Sequence, residues 1–215
     1  MPPSDFAKAN IDEVVEQLTT DEAILLTAGV GFWHTHGVPR LGVPPLKVSD
    51  GPNGTLRHAR NFIIGANMYE GVRGNHFFMS TPAKCLPSST AMGATFDTEL
   101  IEQIGRKLLA EEAKIKAASI LLAPTCNIQR NPLGGRAFES FSEDPHLSGM
   151  IAAAYVKGVQ AGGIATAIKH FVGNDKENDR MAYDSIMSER ALREIYLMPF
   201  MLAQKYAQPW SFMTA

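Results

Sequence analysis

Cysteine is nearly absent from this chain: only Cys85 and Cys126 occur in 215 residues, in unrelated surroundings. So sparse a thiol content suits a reducing compartment better than a disulfide-stapled secreted domain. An excess of charge of one sign is lacking too. Lys and Arg number 20 against 22 Asp and Glu, the formal net charge is -2 and the isoelectric point lies near 6.3. Phosphate backbones are held by clustered cationic side chains, so nucleic acid is not an expected partner. No apolar run approaches membrane-spanning length, and the opening Met-Pro-Pro-Ser-Asp-Phe-Ala-Lys has no basic segment leading into an apolar one. The expected location is cytoplasmic, with secretion left open, and the expected partner is a small uncharged molecule rather than a nucleic acid or a membrane. A composition that is 45% hydrophobic and 20% charged also excludes disorder and collagen and supports a buried core.

Periodicity supplies the organisation. Ile11, Val14, Val15 and Leu18, then Ala23 to Leu26, trace helical spacing, with Thr20 and Asp21 placed to cap the second helix. Leu46 to Asp50 reads as a short buried strand that runs into the turn signal Gly51-Pro-Asn-Gly54. Helical spacing from Ser88 to Ala118 feeds the apolar strand Ser119 to Pro124. Leu147 to Gln160 feeds Ile164 to Lys169 across Gly162 and Gly163, and Ser188 to Ala207 feeds Trp210 to Ala215. About four strands alternating with helices predict parallel βαβ units, whose chemistry gathers at the carboxyl ends of the strands. Asp50, Asn127, His170 and Met213 map to those ends. No glycine-rich phosphate loop follows the first strand, which favours a TIM-type (β/α)8 barrel over a doubly wound nucleotide-binding sheet. About four βα units cannot close eight strands, so the expected fold class is α/β, the N-terminal part of such a barrel, with more chain expected after Ala215.

Lys169 and His170 stand where an apolar run gives way to a polar segment ending near Arg180. A pyranose presents a ring of hydroxyls, and a cationic Lys beside a His can hold two of them. Asp50 can accept two hydroxyl hydrogens, or it can cap its own turn. Arg130 and Arg136 flank Asn131-Pro-Leu-Gly-Gly, with Glu139, Glu143 and Asp144 close behind. Arg130 reads as a salt bridge that braces the loop ahead of a ligand contact, and Arg136, beside glycines, as the better binder. Arg180 is either a further pocket residue or a surface charge. His34 and His36 have His-x-His spacing but no third ligand of suitable type nearby, so no metal and no cofactor are expected.

Taken together, Val48-Ser-Asp-Gly-Pro-Asn-Gly54, Arg130 to Arg136 with Phe138 to Pro145, Lys169-His-Phe-Val-Gly-Asn-Asp175 and Ser188 to Tyr196 resemble glycoside hydrolase family 3, the family of fungal and bacterial β-glucosidases. The resemblance runs in order over nearly all of residues 1–215. It implies a retaining, exo-acting β-glucosidase in which one carboxylate forms a glycosyl-enzyme intermediate and another serves as acid and then base. By the same resemblance the nucleophilic Asp and the acid/base Glu lie beyond Ala215. Asp50, Arg73, Arg136, Lys169, His170 and Arg180 would bind the hydroxyls of terminal glucose, with Met213 a wall of the pocket. The segment Lys169-His-Phe-Val-Gly-Asn favours a glucosidase over a hexosaminidase. A β-xylosidase of the same family, or a non-catalytic sugar-binding remnant, are the alternatives.

One stretch departs from the family pattern. Thr55 to Glu70 separates Asp50-Gly-Pro-Asn-Gly54 from Gly71-Val-Arg73, and joining Gly54 to Gly71 restores the pattern. Thr55, Ala66 to Met68 and Glu70 permit codons that carry a donor, a branch point and an acceptor in order. The expectation is a translated, unspliced intron of a fungal gene, against a natural surface insertion.

Overall fold

The computed structural model describes residues 6–31, 33–51 and 84–215. Arg73 and the Thr55 to Glu70 stretch therefore lie outside the described residues. The chain divides into two compact units, Met1–Val48 and Ser49–Ala215.

In the first unit, helices α1 (Ile11–Glu16) and α2 (Thr20–Leu26) precede the short antiparallel pair β1 (Gly29–Val30) and β2 (His34–Thr35). The cap of α2 is Thr19, one residue earlier than expected. Its hydroxyl accepts from the Glu22 backbone N–H, and the Glu22 carboxylate accepts from the Thr19 N–H, a reciprocal arrangement that satisfies two otherwise orphaned donors. Arg40 ties this cap down, with Nε 2.9 Å from Glu22 Oε1 and Nη2 2.7 Å from the Gln17 carbonyl. The Arg40 hydrogen bonds, with help from the Thr19 backbone, hold the Glu22 carboxyl at about 2. Both helices form where the spacing placed them, and neither contributes a buried residue.

The second unit holds the core. A sheet in the order β3 (Val48–Asp50), β4 (Ile120–Leu122), β5 (Ala165–Phe171), β6 (Ser211–Thr214) has parallel β4–β5 and β5–β6 ladders. The helices between the strands are α3 (Ser89–Gly93), α4 (Thr98–Ile104), α5 (Ala110–Ile115), α6 (Pro145–Ala161), α7 (Glu189–Ala191) and α8 (Met198–Ala207). This is the expected α/β architecture, part of a TIM-type barrel, and the described residues do not close it. Polar caps set where the helices start: Ser88, Asp97, Asp144 and Ser188 each accept from a backbone N–H of the first turn.

Two helices are less regular than their spacing implied. Gly105–Leu109 forms a π-turn between α4 and α5, and Leu192–Tyr196 forms another between α7 and α8. Helix α6 is buried on nearly every side, with Ile151, Tyr155, Val156 and Val159 fully enclosed. Each such side chain contributes roughly 1.5–3 kcal/mol of burial. Glycines allow its neighbours to come close. A Cβ on Gly158 would strike the Glu102 carbonyl of α4, and one on Gly149 would lie 2.6 Å from Leu202 of α8. Strand β5 runs through the centre, buried from Ala165 to His170, and delivers Lys169 and His170 at its carboxyl end.

Candidate functional site

Lys169 is an ammonium in a buried strand, which needs compensation. Its side chain is 2% exposed, and its Nζ lies 2.6 Å from Oδ1 of Asp50, at the end of β3. The same oxygen accepts from the Gly51 N–H at 2.9 Å. Asp50 therefore caps its own turn, one of the two roles its sequence position allowed, and in addition meets a distant cation. Its side chain is 43% exposed, so the pair has a dry cationic end and a wet carboxylate end.

His170 is held by Asn127. The Asn127 Nδ2 donates to the His170 carbonyl at 3.0 Å, and its Oδ1 lies 3.0 Å from both the His170 backbone N and the ring Nδ1. On the other edge, Arg136 Nη2 sits 3.3 Å from the ring Nε2. Burial, then the Lys169 and Arg136 cations, depress the imidazole to about 3, with Asp50 pulling weakly the other way. The ring is neutral across the physiological range.

Arg136 is aimed by carboxylates. Its Nε and Nη2 donate to the two oxygens of buried Glu139 at 3.0 and 2.8 Å, and its Nη1 lies 3.5 Å from Glu177. Thr125 donates to Glu139 Oε2 at 3.3 Å. Gln129 steadies the loop, its amide nitrogen reaching Thr90 Oγ1, the Ala137 carbonyl and the Ser140 carbonyl at 2.7 to 2.9 Å. Gly135 permits the approach of Glu177, because a Cβ there would already lie 3.3 Å from the Glu177 Cβ. Arg180 donates to the other Glu177 oxygen at 2.9 Å while remaining half exposed. One carboxylate thus gathers two guanidinium groups.

Asp50 meets Lys169 at the strand ends, and the loop residue Arg136 reaches His170 there. Arg180 joins them through Glu177. Met213 faces Lys169 in the β5–β6 register and is partly buried. The loop-bracing reading of Arg130 holds, although its partner is Asp175 rather than a residue of its own loop. Arg130 Nε lies 2.9 Å from Asp175 Oδ2 as an ion pair not aligned as a hydrogen bond, and Arg130 Nη1 lies 3.3 Å from the Tyr196 hydroxyl. Asp144 caps α6 instead of pairing with an arginine. Glu177 was missed. The one local signal for it was an acidic residue three positions before Arg180, spacing that admits a short-range pair.

Thr125, Asn127, Arg130, Arg136, His170 and Glu177 line a common cleft. Lys169 offers donors only, the carboxylates offer acceptors only, and a neutral His170 offers one of each. Such a set suits hydroxyls, each of which donates and accepts. No group of three or more His, Cys, Asp or Glu side chains placed to hold a metal occurs among the described residues, and no helix among them is long and apolar enough to cross a membrane. Cys126 is fully buried, and burial raises its thiol well above the usual range, so it is not a poised nucleophile.

Comparison with known proteins agrees with this chemistry. Residues 61–215 match the family described as "Glycosyl hydrolase family 3 N terminal domain". The chain is 49% identical over 210 residues to "Probable beta-glucosidase I" of Neosartorya fischeri, covering 98% of this chain and 23% of that one. It is 51% identical over 206 residues to the protein of the same name in Aspergillus clavatus, covering 96% and 22%. Among solved structures, the β-glucosidase from Kluyveromyces marxianus in complex with glucose is similar with a TM-score of 0.84 and 47% identity, over 96% of this chain and 23% of that chain. β-Glucosidase 3B from Thermotoga neapolitana in complex with glucose gives 0.81 and 39%, over 95% and 29%. The chain spans less than a third of the length of each of these proteins.

Proposed function

This chain belongs to glycosyl hydrolase family 3, and on that premise we propose that it forms the substrate-orienting part of a β-glucosidase that releases terminal non-reducing β-D-glucosyl residues with retention. The observation that carries the reading is the 2.6 Å pair between buried Lys169 and half-exposed Asp50, at the ends of β5 and β3, beside neutral His170 and the carboxylate-aimed Arg136 of the loop after β4. The glucose-bound relatives support the choice of sugar.

In this proposal Lys169 donates to a hydroxyl oxygen, Asp50 accepts a hydroxyl hydrogen, and Arg136 and Arg180 donate around the rest of the ring. Arg73, outside the described residues, joins them. A retaining reaction needs two carboxyl groups roughly 5–5.5 Å apart across the scissile bond. We assign both the nucleophilic Asp and the acid/base Glu to parts of the enzyme outside these 215 residues. The residues here position the glycone so that hydroxyl contacts tighten as the ring flattens toward its oxocarbenium-like transition state. The substrate is a small β-glucoside or cello-oligosaccharide, and neither metal nor cofactor has a step to perform.

The test is hydrolysis of a chromogenic β-glucoside by the complete enzyme and by Lys169→Ala and Asp50→Ala variants. Loss of a charged hydrogen bond to substrate, about 1.5–3 kcal/mol, lowers kcat/KM by about 10- to 150-fold. Values within about twofold of the unaltered enzyme in both variants would remove this pair from the sugar site. The 215-residue chain alone is expected to release no product, and a preference of the complete enzyme for the β-xyloside would change the sugar.

A further inference from the structure

Asn127 touches His170 three times, and the pattern leaves no freedom in its orientation. A backbone N–H only donates and a backbone carbonyl only accepts. The Asn127 atom 3.0 Å from the His170 N is therefore its oxygen, and the atom 3.0 Å from the His170 carbonyl is its nitrogen. That oxygen also lies 3.0 Å from the ring Nδ1. Two acceptors do not hydrogen-bond, so Nδ1 carries the proton. The opposite edge agrees independently: Arg136 Nη2, which can only donate, stands 3.3 Å from Nε2.

We infer that Asn127 is a positioning residue that fixes His170 in the Nδ1–H tautomer, so that Nε2 is presented at the sugar site as a hydrogen-bond acceptor. The inference rests on the sugar-binding reading above. It makes the neighbouring side chains complementary in polarity: Lys169 gives protons to hydroxyl oxygens, and His170 receives one from a hydroxyl. A ligand hydroxyl shares or replaces the contact that Arg136 makes to Nε2. The side chain of Asn127 belongs to the segment after β4, so the β4 register against β5 sets the acceptor.

The direct measurement uses the complete enzyme labelled with 15N-histidine, with His170 assigned from a His170→Gln variant. Two-bond proton–nitrogen correlations at pH 7 are expected to show Nδ1 protonated and Nε2 bare. A proton on Nε2, or on both nitrogens, overturns the inference without involving glucose. The functional arm compares competitive inhibition by glucose in unaltered enzyme and in Asn127→Asp. A carboxylate against Nδ1–H draws a second proton onto the ring and turns Nε2 into a donor. Lys169, Arg136 and Arg180 oppose that charge, Asp50 favours it, and Glu139 and Glu177 act on the ring through Arg136. Asn127→Asp also loses the donation to the His170 carbonyl at every pH, so its inhibition constant is expected to rise at both values, with a rise about tenfold greater at pH 5.5 than at pH 8. A rise by the same factor at both values is a merely structural effect and overturns the role. If His170→Gln leaves glucose inhibition unchanged, the sugar-binding reading fails for this residue, whatever tautomer the spectra show.

Discussion

At the residue scale the Lys169–Asp50 pair is unequal, and its two halves should respond differently to substitution. Asp50→Asn removes the counter-charge and leaves an ammonium that is 2% exposed, a situation that costs about 3–5 kcal/mol. Lys169→Met replaces that ammonium by an apolar chain of similar length and leaves a carboxylate already in reach of water. Urea denaturation is expected to show Asp50→Asn clearly less stable than Lys169→Met. Equal losses would mean that Lys169 finds water or another acceptor. His170 gives a second prediction. Its folded value, about 3, lies below the ordinary 6.5, so between those values the unfolded chain binds a proton that the folded one does not. Stability therefore rises with pH across that window, by up to about 1.4 kcal/mol per unit, and is fully present above pH 6.5. A His170→Gln variant should lose this part of the slope when urea midpoints are compared between pH 4.5 and 7.

At the element scale the closest approaches go through glycine. Helix α6 lies against α4 at Gly158 and against α8 at Gly149. The clash at Gly158 is with backbone, which cannot turn aside as a side chain can. Gly158→Ala should cost about 1–3 kcal/mol and speed amide exchange in α4 and α6 together. An unchanged melting temperature would show that the two helices separate freely. The alternation of helix and strand was legible because apolar runs and Gly162–Gly163 punctuate it. The two π-turns were not, since an extra residue in a helical turn leaves the apolar spacing nearly intact. Thr19 lost to Thr20 and Asp21 in the reading because all of them are capping types, and only the Glu22 side chain returning to the Thr19 N–H chooses between them. At the site, Asp50, Lys169 and His170 could be picked out by residue type at strand ends, and Arg136 by its place beside glycines. Their pairings could not, because Asp50 and Lys169 are 119 positions apart and only the sheet order joins them.

At the scale of the whole molecule, one edge of the described sheet carries exposed apolar side chains. Strand β6 is the last in the described sheet, and Phe212 on it is 42% exposed, packed edge-on against Phe171 and tilted against Phe200. Trp210 and Met201 are also largely exposed. A strand with one unpaired edge and apolar side chains beside it is a template for another chain. The 215-residue chain prepared alone is expected to self-associate in sedimentation experiments, and Phe212→Lys to shift it toward monomer. Monomer at all concentrations without the substitution would contradict this.

The burial of Lys169 has a chemical corollary. Amine acylation requires a neutral, approachable nitrogen, and the Lys169 amine is enclosed and clasped by Asp50, while Lys157 is 61% exposed. A lysine-directed reagent applied to the folded protein will mark Lys157 early and spare Lys169, so acylation of Lys169 in a peptide digest dates the moment at which strand β5 came apart.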